Sequence, residues 1–444
     1  MSALKHKQAI FNYVDENSKE AVDYLRKLVK IDTHVPPGLN YLKLCTVLAN
    51  RLSQSECICE IHEATEPYLK ASGAEAMGLK GPRSNLVATY KGTGGGPRLH
   101  LSAHIDTAPY DPEGWTVDPL GGKFTEDNPY GASPLDVEGG YIWGRGSCDD
   151  KSMLVAMTIA LEAVHEMGLK LKGDLILTGN CDEEIGGVAG LGYLINEGLV
   201  EADYGIQLDG DVHKMGLAAQ GRVRYKIQTY GKSYHGQMPI LGINAIEKMS
   251  AINVALTKHW RDDLLHRHKA IPGIVLPEAI LEAGYDKLTA MLNIGTIKGG
   301  IQGATVPDLC LEEVLRCMIP GEAEPEVTQE IITVIESVKQ NDPDLRYSLD
   351  IINSREGYVQ DLSHPFIQRS RKIMSDCLGV IPEFSGNLAS TDMNYQVNDG
   401  GQACFTMGTG YPYTRYHQKD ESVSVDDVLM NAKMLALIII ETLG

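Results

Sequence analysis

The sequence contains no apolar run close to the roughly 20 residues that span a bilayer, and its N-terminal stretch lacks the apolar core of a signal peptide. It is also poor in positive charge, with 40 Lys and Arg against 59 Asp and Glu and a formal net charge of −19 at pH 7. An acidic surface of this kind repels nucleic acid and anionic membranes. We therefore expect a cytoplasmic protein that binds neither nucleic acid nor membrane.

The 9 cysteines are odd in number and scattered without a CxxC pair, which excludes a disulfide framework and a structural zinc knuckle. We find no internal repeat and no low-complexity segment. The glycine-rich stretch "GTGGG" at 92–96 joins two apolar strands, so we interpret it as a tight turn rather than a phosphate loop. With 444 residues, 43% hydrophobic and 22% charged, the chain is typical of a folded protein with two domains.

Short apolar segments separated by glycine-rich turns dominate the first half of the chain. They are "NLVATYKG", "PRLHLSAHID", "GDLILTGN" and "YGIQLDG". A helical stretch, "SMLVAMTIALEAVHEMG", lies between the second and the third. Such alternation predicts an α/β fold with a mixed, mostly parallel sheet and helices on both faces.

The pattern changes near residue 217, where an alternating strand is followed by a helix, two further strands and another helix. This order predicts a smaller α+β sandwich inserted into the first domain. We therefore expect a first domain from residues 1–216 and 355–444, and an inserted second domain from residues 217–354.

Acidic and histidine side chains follow the predicted strands at their carboxyl ends. In "LHLSAHIDTA", His104 and Asp106 lie two residues apart and share one face. A metal-binding histidine commonly donates its second ring N–H to a carboxylate, so Asp106 suits the role of orienting partner. A surface histidine beside an acid is the alternative for this short motif.

In "GRGSCDDKS", Asp149 and Asp150 stand between a glycine-rich turn and a helix start. Asp149 can either cap that helix or bridge two metal ions from the turn. The neighbouring Cys148 is interpreted as a small packing residue.

Three consecutive carboxylates in "CDEEIGG", at residues 181–187, are costly unless they are solvated or held by positive charge. Glu183 and Glu184 point in different directions if the strand ends there, so one can bind metal while the other takes up a proton. Asp209 ends another strand and His417 lies near the C-terminus. Together with His104 and Asp149 these residues make a donor set sufficient for two zinc-like ions.

The ordered motifs "SAHIDTA", "GRGSCDDKS", "CDEEIGG", "GIQLDG", "YHGQMP" and "RYHQKDE" resemble those of the co-catalytic zinc amidohydrolases. That superfamily includes acetylornithine deacetylase, succinyl-diaminopimelate desuccinylase, aminoacylase, glutamate carboxypeptidase and carnosinase-type dipeptidases. The resemblance implies that residues 1–216 and 355–444 form a zinc-hydrolase catalytic domain and that residues 217–354 form a lid or dimerisation domain. It also implies a homodimer formed through the lid domain, and two Zn²⁺ for which Co²⁺ or Mn²⁺ could substitute.

Matched motif by motif, the resemblance also implies roles for individual residues. One zinc would be held by His104, Asp149 and Asp209, and the other by Asp149, Glu184 and His417. Glu183 would be the general base, Asp106 the partner of His104, and His235 of the lid a stabiliser of the oxyanion. A cis peptide bond between Asp149 and Asp150 is implied as well.

The lid departs from the pattern in the residues that bind a substrate carboxylate. Ala304 stands where many members have asparagine, and the arginine position falls on Cys317, with Arg316 displaced by one. Because a shift of one residue moves a side chain to the other face of a strand, either the strand bulges or the carboxylate is not bound in the usual way. Arg415 and Arg316 are the candidates for substrate binding.

The resemblance implies hydrolysis of the C–N bond of a small N-acyl amino acid or related amide. A dipeptidase or carboxypeptidase of the same superfamily is the alternative, since the "DD" pair resembles the dipeptidase branch and the compact lid resembles the deacylase branch. A metal-binding homologue without activity is the remote alternative, and it would be expected to lack the base or a ligand.

Overall fold

The computed structural model describes residues 3–133, 135 and 139–444. These residues form two compact units. The first contains residues up to Leu217 together with Gln360–Ser385 and Thr391–Gly444, and the second contains Ala218–Val359 and Gly386–Ser390. The residues of the second unit therefore interrupt those of the first along the chain.

The α-helices of the described residues are α1 Lys7–Glu16, α2 Ser18–Val29, α3 Tyr41–Leu52, α4 Glu66–Ala71, α5 Lys151–Glu166, α6 Tyr193–Asn196, α7 Ala245–Asp262, α8 Glu278–Glu282, α9 Glu324–Lys339, α10 Pro365–Leu378 and α11 Val425–Leu443. Within this part of the chain, no helix combines the length and the apolar composition needed to cross a bilayer.

The strands are β1 Ile58–Glu63, β2 Ser84–Tyr90, β3 Leu99–His104, β4 Lys123–Thr125, β5 Tyr141–Trp143, β6 Leu175–Asn180, β7 Tyr204–Gln207, β8 Lys214–Ala219, β9 Gly221–Tyr230, β10 His268–Lys269, β11 Leu288–Thr289, β12 Met291–Gly299, β13 Leu309–Met318, β14 Arg346–Arg355, β15 Tyr358–Val359, β16 Glu383–Asn387, β17 Ala403–Thr406 and β18 Ser422–Ser424.

The large sheet of the first unit runs in the order β1-β2-β6-β3-β7-β17-β8. Its central strands β6, β3, β7 and β17 are parallel, whereas β1, β2 and β8 are antiparallel to their neighbours. The expected α/β fold with a mixed sheet is confirmed, and its parallel part is the centre. Because parallel strands end at one edge, the segments that follow β6, β7 and β17 begin beside the last residue of β3, His104.

A small sheet and two buried helices fix the segment that contains Asp149. Helix α5 begins two residues after Asp149 and packs against the apolar α11. Strand β5 pairs with β18, which places Trp143 opposite Ser422. The chain shortly before Asp149 therefore lies beside the chain shortly after His417, although the two are distant in sequence.

The second unit is an antiparallel sheet in the order β12-β13-β9-β14. Alternate residues of β9 and β13 are buried, and they share a core with α7 and α9 that includes Ile227, Val314, Ile252 and Ile331. The sequence analysis predicts three of the four strands but not β14. That strand has apolar residues at alternate positions, Tyr347, Leu349 and Ile351, a signal that the sequence analysis misses, and most of its residues are at least partly exposed.

Candidate metal centre

The carboxylate of Asp149 joins two histidines that are far apart in sequence. Its Oδ1 lies 2.9 Å from Nε2 of His104, and its Oδ2 lies 3.1 Å from Nε2 of His417. Nε2 of His417 is also 2.9 Å from Oε2 of Glu184. The structure thus brings four of the five predicted ligands into one continuous cluster.

Asp209, the fifth predicted ligand, follows β7 at the same edge of the sheet and interacts with the cluster electrostatically. The pKa of Asp209 is raised to about 7, first by burial and then by the charge of Asp149, and His104 opposes both effects. An acid whose ionisation is opposed by a neighbouring acid is stabilised by a cation placed between them.

Three carboxylates share two imidazoles in this cluster. Burial and then the charge of Asp149 raise the pKa of Glu184, while hydrogen bonds to Asp149 and Glu184 raise the pKa of His417 to about 11. Protons on the histidines therefore supply the positive charge that the acids require, and a divalent cation can replace them.

The ligand atoms themselves fit such an ion. One atom each from Asp149, Glu184 and His417 lies within 4.8 Å of the others. Carboxylate oxygens and imidazole nitrogens in this proportion are typical of zinc-like sites.

His104 is oriented by its backbone and by its second ring nitrogen. Its Nδ1 donates to the carbonyl oxygen of Asp106 at 3.0 Å, whereas the Asp106 carboxylate is 3.6 Å away. The predicted partner is therefore the right residue, but the acceptor is its carbonyl group rather than its side chain. This hydrogen bond leaves Nε2 of His104 directed at Asp149, as metal binding requires.

The Asp106 carboxylate instead holds the turn that contains the acids. It accepts hydrogen bonds from the backbone N–H groups of Glu183 and Glu184, each at 3.2 Å. Asp182 has a positive φ of 62° at the start of this turn, and the hydroxyl group of Tyr41 donates to its carboxylate at 2.8 Å. The "CDEE" sequence is thus a braced turn rather than a solvated one.

Arg83 provides the positive charge closest to Asp182. Both side chains are 1% exposed, and Nε of Arg83 is 3.7 Å from Oδ2 of Asp182. Burial raises the pKa of Asp182 to about 7, and Arg83 opposes this effect. The first carboxylate of the three is therefore part of the support of the turn.

Asp150 is a buried residue whose role the sequence does not reveal. The peptide bond between Asp149 and Asp150 is cis, as the resemblance implies. Asp150 occupies the N-cap position of α5 but makes no capping hydrogen bond. Its Oδ2 accepts the backbone N–H of His104 at 3.1 Å, so its carboxylate positions a ligand on the neighbouring strand.

Cys148 is a packing residue, as its sequence position suggests. Its side chain is buried, with Sγ 3.6 Å from the hydroxyl group of Thr409, and burial raises the pKa of its thiol well above the usual range.

His235 lies in the second unit, where its backbone pairs with Thr305 in an isolated bridge and its side chain is exposed. Its Nδ1 accepts the backbone N–H of Gln237 at 3.2 Å. The proton of the neutral ring is then on Nε2, which is free to donate.

The two arginines predicted to bind substrate differ in availability. The Arg316 side chain is fully buried, with Nη2 2.8 Å from Oε1 of Glu322, so this guanidinium is occupied within its own unit and does not suit the predicted role. Arg415 lies with its guanidinium 4.1 Å from the centre of the Tyr130 ring, and its Nε donates to the carbonyl of Lys419 at 3.0 Å.

The pairing of β13 with β9 is regular from Leu309 to Met318. Arg316 therefore faces the buried side of the sheet and Cys317 the other side. The pairing of β13 with β12 is irregular, but the extra residue lies in β12, between Ile294 and Thr296. Of the two explanations for the displaced arginine, a bulge in β13 itself is therefore not supported.

The sequence that contains this site is similar to those of known proteins. A model of peptidase family M20/M25/M40 matches residues 100–441. Acetylornithine deacetylase of Myxococcus xanthus is 25% identical over 378 residues, which cover 84% of this chain and 85% of the relative. The N-formyl-4-amino-5-aminomethyl-2-methylpyrimidine deformylase of Bacillus subtilis is 23% identical, with 95% of this chain and 94% of the relative covered.

Solved structures share the fold over the whole chain. The di-peptidase Dug1p of Saccharomyces cerevisiae aligns with a TM-score of 0.74 at 15% identity, covering 99% of this chain and 98% of that one. Human carnosine dipeptidase 1 aligns with a TM-score of 0.70 at 15% identity, covering 98% and 99%. At these identities the likeness concerns the fold.

Proposed function

The chain belongs to peptidase family M20/M25/M40, and from this premise we propose that it hydrolyses the amide C–N bond of a small N-acyl amino acid or related amide. The observation that carries the proposal is the continuous contact of His104, Asp149, His417 and Glu184. General-base hydrolysis at a metal centre also requires an acid close to the ligands, and Glu183, next to Glu184 in the chain, is proposed as that acid.

Two divalent ions, with zinc as the first expectation, would be held by His104, Asp149 and Asp209 and by Asp149, Glu184 and His417. When bound, such ions lower the pKa of a water molecule and polarise a carbonyl group. Glu183 then takes up the proton of the attacking water and returns it to the leaving nitrogen. Asp106 keeps Glu183 in place through the backbone of its turn.

His235 is the proposed donor to the developing oxyanion. Its support is the tautomer described above, because Nδ1 accepts from Gln237 and Nε2 is the donor. A donor of this kind stabilises the tetrahedral intermediate by hydrogen bonding. We propose that it acts in a homodimer, in which a second copy supplies it.

The second unit offers a surface for such a dimer. Strand β12 is at the edge of its sheet, and Ile297 on this strand and Val254 on α7 are 50% and 72% exposed. An exposed edge with apolar side chains is suited to pairing with another chain. Light scattering after size-exclusion chromatography should give a dimer for the wild type and a monomer for Ile297→Asp; a monomeric wild type would exclude this assembly.

The substrate class is tested by a panel of amides assayed with zinc-loaded enzyme. N-acetyl, N-formyl and N-succinyl amino acids are compared with dipeptides that have a free amino group. Turnover of the acylated compounds at a kcat/KM at least about tenfold above that of the dipeptides supports the proposal, and no turnover of any acylated compound contradicts it.

A dipeptidase is the second candidate. It is favoured by the acid pair Asp149 and Asp150, and by the fold shared with Dug1p and carnosine dipeptidase 1, whose names describe action on dipeptides. A preference for dipeptides in the same panel would select this alternative.

A further inference from the structure

Glu421 lies four residues after the ligand His417 and directly before β18. The pairing of β18 with β5 extends to Glu421, whose carbonyl oxygen accepts the backbone N–H of Gly144 at 2.9 Å. Glu421 is therefore placed beside the turn that leads to Asp149. Its side chain points into the protein and is 0% exposed.

The Glu421 carboxylate binds both the backbone and a side chain of that turn. Its Oε1 accepts the backbone N–H groups of Cys148 at 2.9 Å and of Asp149 at 3.1 Å. Its Oε2 accepts from Nη1 of Arg145 at 2.6 Å, and the Arg145 side chain is 3% exposed. A buried carboxylate with three charge-assisted or backbone hydrogen bonds holds its surroundings rigidly.

Arg145 makes the complementary contact in the opposite direction. Its Nη2 donates to the carbonyl of Gln418 at 3.2 Å, next to His417. Glu421 thus binds the backbone of the segment that contains Asp149, and Arg145 binds the backbone of the segment that contains His417. The two segments that contribute Asp149 and His417 are connected twice.

The segment around His417 needs such a connection. Arg415, His417 and Asp420 all have positive φ, at 54°, 60° and 60°, a conformation that costs non-glycine residues free energy unless contacts hold it. A loop released from its contacts would relax and move His417 away from Asp149.

We infer that Glu421 and Arg145 are positioning residues whose ion pair sets the separation of Asp149 from His417, and with it the affinity of the metal position that these two ligands share. The inference rests on the proposed metal-dependent function. Removal of a residue that orients a metal ligand typically weakens metal binding about 10- to 100-fold, and we expect an effect of this size.

The test is titration of metal-stripped protein with Zn²⁺ in competition with a chelating dye, with thermal unfolding recorded in parallel. The variants are Glu421→Gln and the double variant Glu421→Gln with Arg145→Met, which removes both charges and so avoids an unpaired buried arginine. Glu162→Gln is the matched control, because Glu162 pairs with Arg51 at 2.6 Å between α5 and α3, about three helical turns from Asp149.

We expect wild type and Glu162→Gln to bind Zn²⁺ with the same affinities, and both Glu421 variants to bind one ion about 10- to 100-fold more weakly even where the double variant unfolds at the control's temperature. Unchanged Zn²⁺ affinity in the folded double variant overturns the inference and leaves the proposed function intact. A wild type that binds no Zn²⁺ overturns both.

Discussion

Two clusters of charged side chains, one in each unit, differ in their balance of positive and negative charge. In the second unit, Arg267 and Arg316 lie 2.8 Å from the same oxygen of Glu322, and Arg267 lies 2.5 Å from Glu330. His259 adds a contact of 3.2 Å to Glu330. Burial raises the pKa of Glu330, but its hydrogen bonds to His259 and Arg267 outweigh this effect and lower the pKa.

In the first unit, the acids of the metal centre have two histidines and no arginine within the described contacts of their side chains. Burial and the neighbouring Asp149 raise the pKa values of Glu184 and Asp209. The lid cluster is neutralised by its own arginines, which makes it a structural ion-pair network. The cluster of the candidate metal centre lacks positive charge, and a bound divalent cation would supply it.

The largest effect is expected at the candidate metal centre, from substitution of the adjacent acids Glu183 and Glu184. Glu183→Gln removes the proposed base and should lower kcat by about 10²- to 10⁴-fold with metal content unchanged. Glu184→Gln removes a ligand and should lower metal content together with activity. Assays of kcat and of metal per chain in both variants separate the two roles; a Glu183→Gln enzyme of near-normal rate would exclude Glu183 as the base.

The lid cluster should respond in stability alone. Arg316→Met leaves the partly buried Glu322 and Glu330 paired with Arg267 and should lower the free energy of unfolding by about 1 to 3 kcal/mol, because charge-assisted hydrogen bonds are lost. Metal content should not change, because this network has no deficit of positive charge that a cation would supply. Urea denaturation and metal analysis measure both, and a loss of metal on this substitution would erase the distinction between the clusters.

A smaller effect separates two histidines of the same strand. His104 faces acids, whereas Nε2 of His100 faces the hydroxyl group of Thr178 at 3.0 Å and its Nδ1 accepts from the Gln396 amide at 3.1 Å. Burial lowers the pKa of His100 from 6.5 to about 4, and the Gln402 side chain opposes this. Between pH 4 and 6.5, His100 is therefore protonated in the unfolded chain but not in the folded protein.

Stability should fall as pH drops from 6.5 to 4, and the contribution of His100 is up to about 3 kcal/mol. This contribution of His100 should be absent above pH 6.5. His100→Asn should reduce the pH dependence of the free energy of unfolding, measured by denaturation at each pH. An unchanged slope would show that folding does not lower the pKa of His100.

The sequence predicts the parts of the site that follow from strand ends. Apolar runs identify β3, β6 and β7, and the acids and histidines that come directly after such runs must meet at one edge of a parallel sheet. His104, Glu184 and Asp209 are found in this way. His417 has no such signal of its own and depends on the motif order.

The supporting residues could not be predicted because their partners are set by tertiary contacts. Nothing in the spacing of Arg145 and Glu421 indicates that β5 pairs with β18 and brings them together. Asp150 reads as a helix cap, but its carboxylate binds the backbone of His104 instead. The sequence analysis predicts that Arg316 binds substrate, but the register of β13 places its side chain on the buried face of the sheet of the second unit.

The most direct test is the amount of metal per chain in protein purified without chelator, for wild type and Asp149→Ala. If the deficit of positive charge marks a shared metal centre, wild type contains about two zinc-like ions and Asp149→Ala loses both or retains one weakly. Wild-type protein that contains none, even after zinc is supplied, would contradict the assignment and leave the acids at the sheet edge as a purely structural cluster.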